Sequence, residues 1–294
     1  MNAEVVGSIA VLRERLAEDR RTGTIIGLVP TMGALHAGHA SLIERAHREC
    51  GSVTVSIFVN PLQFDRADDL RHYPRTFDDD VEICRRLGVD FVFAPTATEM
   101  YPSQPSCTVD VGRMADHLCG PHRPEHFRGV ATVVLKLLQI VQPSRAYFGE
   151  KDAQQFAIVR RLVADFDVPV QLVGVSTVRE PDGLALSSRN RLLSPSERES
   201  ATALFHALSE AKRLIAAGIT DAEIVRAGAS GKIPADPSLR LEYLEIVDPD
   251  DMQPIDRIAG PVCVAGALLV GSTRLIDNLY CVPSTGHAFR PQPL

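Results

Sequence analysis

Thr24-Ile25-Ile26-Gly27-Leu28-Val29-Pro30-Thr31-Met32-Gly33-Ala34-Leu35-His36-Ala37-Gly38-His39-Ala40-Ser41-Leu42-Ile43-Glu44-Arg45-Ala46 decides the fold. Its first six residues are apolar and β-branched, which predicts a buried strand. From Ala40 the spacing of Leu42, Ile43 and Ala46 is helical. Between them the chain passes from strand to helix. The first N–H groups of a helix lack intrahelical partners and sit at the positive end of its dipole, so such a turn attracts phosphate. Gly33 and Gly38 carry no Cβ and let a ligand approach the main chain. His36 and His39, three residues apart, fall on one face of the first turn, as two donors aimed at a triphosphate. No Glu lies between them in the metalloprotease pattern H-E-x-x-H.

Outward from this turn, strands and helices alternate. Strands are expected at Val53–Val59, Val89–Ala94, Arg145–Phe148 and Val168–Val178. Helices are expected at Asp78–Leu87, at the nearly all-apolar Val130–Val141 and at Ala153–Phe166. Such alternation implies an α/β, Rossmann-like, doubly wound parallel sheet, with ligands at the carboxyl ends of its strands. After Arg189 the pattern changes. Ser194-Pro195-Ser196-Glu197 is a capping box whose helix is expected to reach Ala217, and Thr220–Glu223 caps a second in the same way. Leu239–Val247, Val262–Val270 and Thr273–Val282 read as strands, the last two joined by Gly271-Ser272 as a hairpin. The expected division is a nucleotide- and substrate-binding domain over 1–183 and a smaller α+β domain over 184–294 that closes over the site. The tail from Ser284 to Leu294 is expected to be mobile.

Composition narrows the function. A formal charge of −6 argues against a general nucleic-acid surface. Six scattered cysteines without a C-x-x-C pair favour reduced thiols in a cytoplasmic protein over a zinc site or a disulfide framework. The first twenty residues do not read as a signal peptide, and no apolar run reaches the length of a membrane span. There is no G-x-G-x-x-G after a strand, which disfavours a dehydrogenase, and no G-x-x-x-x-G-K-[ST] phosphate loop.

Four further segments carry chemistry. Asn60 and Gln63, after the second expected strand, offer amides that suit a ligand with hydroxyls and a carboxylate, or simply close a polar turn. At Gly149-Glu150-Lys151-Asp152, Lys151 offers a cation for phosphate or for a surface ion pair, and Asp152 a partner for ribose hydroxyls. Gln155 follows Lys151 by one helical turn and can face the same pocket. Ser187, Ser188 and Arg189 form either a polyphosphate clamp or a polar linker. Asp78-Asp79-Asp80 offers Mg²⁺ ligands, with Asp79 and Asp80 as candidates, or an acidic helix start favoured by the dipole.

The His36-Ala37-Gly38-His39 form resembles the signature of the nucleotidylyl-transfer superfamily, which attacks the α-phosphorus of ATP and expels pyrophosphate. With Phe58–Phe64, Tyr73-Pro74-Arg75-Thr76, Arg123-Pro124 with His126-Phe127, Phe148–Gln155 and Leu184–Asn190, the chain resembles the pantothenate synthetase (pantoate–β-alanine ligase) family over most of residues 24–190. The C-terminal part resembles it more loosely, at Thr273–Asn278. Cys119-Gly120-Pro121-His122 departs from the family's pattern, and Leu186 stands where methionine is often found. The resemblance implies ATP-dependent condensation of pantoate with β-alanine through pantoyl adenylate, with Mg²⁺ accompanying the nucleotide, in a homodimer. It implies catalytic roles for His36, His39, Lys151 and Arg189. It places ATP on Met32, Gly33, Ala34, Leu35, His36, Ala37, Gly38 and His39, on Gly149, Glu150, Lys151 and Asp152, and on Val178, Leu186, Ser187, Ser188 and Arg189. It places pantoate and β-alanine on Asn60, Gln63, Arg123 and Gln155. The alternatives are a stand-alone adenylyltransferase whose adenylate is the product, and a non-catalytic nucleotide sensor.

Overall fold

Nine strands form two sheets among residues 3–65 and 67–283, which are those the computed structural model describes. They are β1 (Glu4–Val6), β2 (Ile26–Thr31), β3 (Ser52–Ile57), β4 (Phe91–Phe93), β5 (Arg145–Gly149), β6 (Gln171–Val175), β7 (Leu239–Val247), β8 (Val262–Val270) and β9 (Thr273–Cys281). The first six pair in the order β1-β4-β3-β2-β5-β6, all parallel.

Side chains alternate along each strand, and both faces are buried, as a helix-covered parallel sheet requires. Ile26, Leu28, Ala146 and Phe148 join one core with Leu12 and Leu16 of helix Ile9–Arg21, with helix His126–Val141 and with helix Ala153–Asp165. Val29, Val55 and Tyr147 join the opposite core with Leu42, Ile43 and Ala46 of helix Ala37–Glu49 and with Val81 and Cys84 of helix Phe77–Arg86. This double covering buries both faces of β2 and β3, so that in β3 even Ser52, Thr54 and Ser56, which alternate with Val53 and Val55, are buried.

The chain runs from β2 outward through β3 to β4, then returns past β2 to β5. The order of strands therefore reverses between β2 and β5. A crevice opens at such a reversal, beyond the carboxyl ends of the strands.

The second sheet, β7-β8-β9, is antiparallel. One core packs it on helix Ala203–Ala216, through Leu204, Leu208 and Ile215 against Val264, Leu268 and Leu275. Cys263 and Ala265 of β8 belong instead to the first core, which ties the small sheet to the large one.

The structure corrects several expected elements. β1 and helix Ile9–Arg21 add a parallel edge strand and a covering helix that the sequence reading did not anticipate. The helix begun by the Ser194 capping box ends at Ser200 and a new one starts at Ala203. At the break, the Thr202 hydroxyl donates to the Glu199 carbonyl (3.0 Å), a local bond that competes with helix continuation. Asp221, rather than Thr220, caps helix Ala222–Ser230 by accepting from the Ile224 N–H. The tail from Ser284 lies outside the described residues. All six cysteines are free. Among the described residues no helix is long and apolar enough to cross a membrane.

Candidate active site

At the reversal point lies a cavity of about 280 Å³. It gathers Met32, His36, Gly38 and His39 from the turn after β2, and Gly149, Lys151, Asp152 and Gln155 from the turn after β5. Gln63 and Arg123 line it too, as do Val178, Leu186, Ser187, Ser188 and Arg189. Segments far apart in sequence thus meet over one crevice.

The turn after β2 is held by its own histidines. His36 is the N-cap of helix Ala37–Glu49, and its Nδ1 accepts the Gly38 N–H (3.1 Å). His39 Nδ1 accepts the His36 N–H (3.3 Å), and the two rings lie 4.2 Å apart. Each Nδ1 is therefore an unprotonated acceptor, which leaves each Nε2–H as the donor. Enclosure in the cavity lowers His36 to a pKa of about 4, with the nearby Lys151 and Arg191 cations acting in the same direction. His39 is lowered by enclosure, then by His36, to about 3. Both rings are thereby held in the neutral form at pH 7, each with an Nε2–H available to donate. Gly38 serves this arrangement directly, since a Cβ there would stand 2.8 Å from Cε1 of His36.

One part of the expected phosphate site is otherwise engaged. The N–H groups of Ala34 and Leu35 donate to Asp80 Oδ2 (2.9 Å) and Oδ1 (2.7 Å). Gly33 and Ala34 take positive φ, +82° and +52°, to bring those groups round to the carboxylate. Thr76 Oγ1 also donates to Asp80 Oδ1. Asp80 is buried, and both its oxygens are committed. The expectation of Mg²⁺ on Asp79 and Asp80 is corrected accordingly: Asp80 scaffolds the turn, and Asp79 is exposed and outside the cavity. Among the described residues no group of three or more His, Cys, Asp or Glu side chains is placed to hold a metal. Gly33, Ala34, Leu35, Ala37 and Glu150 also lie outside the cavity lining, unlike their neighbours in the same motifs.

Asn60 is a second correction. Its Nδ2 donates to Gln63 Oε1 (3.1 Å) and to the Gly129 carbonyl (3.1 Å). Its Oδ1 accepts from the Tyr101 hydroxyl (3.0 Å) and from the Leu62 N–H (3.3 Å). Two donors and two lone pairs are the whole capacity of an amide. Asn60 therefore orients Gln63 and has nothing left for a ligand. Gln63 lines the cavity with its Oε1 accepting from Asn60 and one Nε2 proton donated to Met32 Sδ (3.1 Å), while its backbone carbonyl accepts from Arg123 NH2 (3.1 Å) and pairs with His126 Nδ1 (3.0 Å). Burial lowers His126 to about 4.

Lys151 and Arg189 have no carboxylate within ion-pair distance among the described residues, although both line the cavity. The surface-pair alternative for Lys151 is thus not realised. Gln155 likewise points a side chain with no hydrogen bond to the described residues into the cavity. Gln154 is its structural counterpart. Buried, it accepts from Cys119 N–H and donates to the Met114 and His117 carbonyls, and so fixes the segment before Arg123. The sequence reading missed β9 as a contributor. Arg274, Ile276, Asp277 and Asn278 of that strand line the cavity from the small sheet. The available signal was the adjacent polar pair Asp277-Asn278 in the middle of the strand.

The family model for pantoate-beta-alanine ligase matches residues 4–280. The chain belongs to the pantoate-beta-alanine ligase family. It is 48% identical to a pantothenate synthetase of Moorella thermoacetica over 94% of this chain and 98% of that protein. The crystal structure of pantothenate synthetase from Thermus thermophilus superposes with a TM-score of 0.88 at 44% identity, covering 94% of this chain and 98% of that one. That of pantoate-beta-alanine ligase from Francisella tularensis, complexed with beta-gamma ATP and beta-alanine, superposes with a TM-score of 0.78 at 34% identity, covering 94% and 97%. The chain spans about half the length of the bifunctional pantoate ligase/cytidylate kinases it also matches, 52% of that from Synechococcus sp. (strain JA-2-3B'a(2-13)) at 50% identity over 95% of this chain.

Proposed function

We propose that the protein condenses pantoate with β-alanine at the expense of ATP, through enzyme-bound pantoyl adenylate. The observation that carries this reading is one cavity lined both by cationic and hydrogen-bond-donating groups (His36, His39, Lys151, Ser187, Ser188 and Arg189) and by two amides (Gln63 and Gln155), with Arg123 beside Gln63. Family membership and the relative crystallised with beta-gamma ATP and beta-alanine support it.

Pantoate enters as a carboxylate, so the first step needs no base. A carboxylate oxygen bonds to the α-phosphorus, the bond to the bridging oxygen breaks, and pyrophosphate leaves with the electron pair. The protein supplies alignment and charge neutralisation. The Nε2–H groups of the neutral His36 and His39 donate to phosphate oxygens, and Lys151 and Arg189 offset the charge gathering on the leaving group. Gln63 and Gln155 hold the pantoate oxygens, and Arg123 adds positive charge beside Gln63. In the second step the amine of β-alanine attacks the acyl carbon, AMP departs, and the ammonium formed loses its proton. Mg²⁺ belongs to this scheme as part of the nucleotide substrate, held by phosphate oxygens, its usual partners. The chain acts as a homodimer in the reducing cytoplasm; its six unpaired cysteines are in keeping with that setting. Residues 184–294 form the unit that closes on the nucleotide.

The test is a coupled assay with ATP and Mg²⁺. Pantoate alone should release pyrophosphate, and adding β-alanine should release AMP and pantothenate. Pyrophosphate release with a phosphorylated acceptor but none with pantoate would instead identify a stand-alone adenylyltransferase, and nucleotide binding without turnover a sensor.

A further inference from the structure

Asn278 reaches from β9 across to the turn after β5. Its Nδ2 donates to the carbonyls of both Glu150 (2.9 Å) and Lys151 (2.8 Å). It is 5% exposed, so the two bonds are made away from bulk water. Both protons of the amide are used on backbone oxygens at and beside the residue that carries the cation. Its neighbour Asp277 faces the other phosphate-side segment. Arg179 grips Asp277 with two bonds, NH1 to Oδ2 (2.6 Å) and NH2 to Oδ1 (2.8 Å), and also donates to the Asn278 carbonyl (3.2 Å). Arg179 opens the turn that bridges Arg179 to Ala185 and leads into Ser187. One dipeptide of the small sheet is therefore tied to both cationic edges of the cavity.

We propose that Asn278 is a positioning residue for the adenylation step, holding the Glu150-Lys151 backbone so that the Lys151 ammonium stays at the phosphates. The inference rests on the function proposed above. A misplacement of about 1 Å in a charge that aligns a phosphoryl transfer costs on the order of 10²-fold in rate. Two lost hydrogen bonds act in the same direction. The effect belongs to the first step alone, because the β- and γ-phosphates have left before the amine attacks.

The isosteric Asn278→Asp variant keeps the shape and turns two donors into acceptors facing two carbonyls. It should lower pyrophosphate release from ATP and pantoate about 10–100-fold and raise the KM for ATP more than that for pantoate. The reaction of synthetic pantoyl adenylate with β-alanine should stay within about twofold, and Lys151→Ala should already contain the whole effect, so that the double variant is no slower. Equal losses in both half-reactions, or losses that add to those of Lys151→Ala, would show a general structural role and overturn the inference. Should Asn278→Asp not fold, Asn278→Ser, which retains one donor, should release pyrophosphate more slowly than the unaltered protein and no more slowly than Lys151→Ala; full adenylation activity in a folded variant overturns the proposal equally. Amide hydrogen exchange across residues 149–153 supplies a readout independent of turnover. It should quicken in the variant, and unchanged exchange refutes the clamp. Failure of the unaltered protein to release pyrophosphate would count against the function, and the exchange result would still decide the clamp.

Discussion

The turn after β2 and the loop Ser187–Leu192 both face the cavity, yet their polar groups are used differently. In the turn, nearly every group is committed within the protein. Asp80 takes two backbone N–H groups, His36 takes a third and His39 a fourth. Left without a partner in the turn are the two Nε2–H groups, in fixed positions on neutral rings. In the loop, the internal bonds are few. Ser187 Oγ accepts the Arg189 N–H (3.3 Å) and Asn190 Nδ2 donates to the Ala185 carbonyl (3.0 Å). Arg189 is exposed and has no acidic partner among the described residues. The first region is organised by its own bonds, and the second has charge in reserve; under the proposed function the nucleotide would meet both. Fixed donors favour the charge of the transition state, because they need no rearrangement when it forms. A long cation without a partner instead gains its contacts on binding, at a cost in side-chain entropy.

Three substitutions or conditions can break this contrast. The largest effect should come from His39→Ala, which removes a preorganised donor. Adenylation should fall on the order of 10²–10³-fold with the fold intact. Single-turnover pyrophosphate release together with circular dichroism checks it, and a folded variant of full activity would remove His39 from the mechanism. Arg189→Ala should cost less, about 10–100-fold, the scale of one or two charge-assisted hydrogen bonds. Its loss should be confined to adenylation, with Arg189→Lys in between because it keeps the charge but not the planar fork. Similar losses when pantoyl adenylate is supplied directly would mean that Arg189 holds the adenylate or the arrangement of the domains.

The smallest effect concerns pH. His36, His39 and His126 have pKa values of about 4, 3 and 4 in the folded protein, against an ordinary value of 6.5. The unfolded chain therefore binds more protons as pH falls below about 6.5. The stability associated with the neutral rings is complete above that pH and is lost progressively as pH drops toward 4. Urea midpoints measured at pH 7, 6 and 5 should fall in that order, and His39→Ala should flatten the trend. A midpoint that rises on acidification would mean that the cradle carries charged imidazoles.

The alternation of strands and helices, the strand-to-helix turn at His36-Ala37-Gly38-His39 and the three C-terminal strands were legible along the chain. Each is a local pattern, written in periodicity, capping residues and turn residues, and a local pattern survives without its neighbours. β1 escaped notice because three residues carry too little periodicity, and the strand exists through its pairing with Phe91–Phe93. Assignments made by residue type alone were the ones the tertiary structure redistributed. Asn60 and Gln63 offer the same amide, and Asp79 and Asp80 the same carboxylate. In each pair, what lies opposite decides the task. Gly129 and Tyr101 saturate Asn60, and Ala34 and Leu35 occupy Asp80, from positions 41 to 69 residues away. Asn278 shows the same dependence from the other side: nothing in Leu275–Asn278 indicates that its amide will meet the carbonyls of Glu150 and Lys151. Sequence determines which groups are available and on which element they ride. Only the folded chain decides which of them have already found a partner, because a hydrogen bond satisfied within the protein is capacity withdrawn from the ligand.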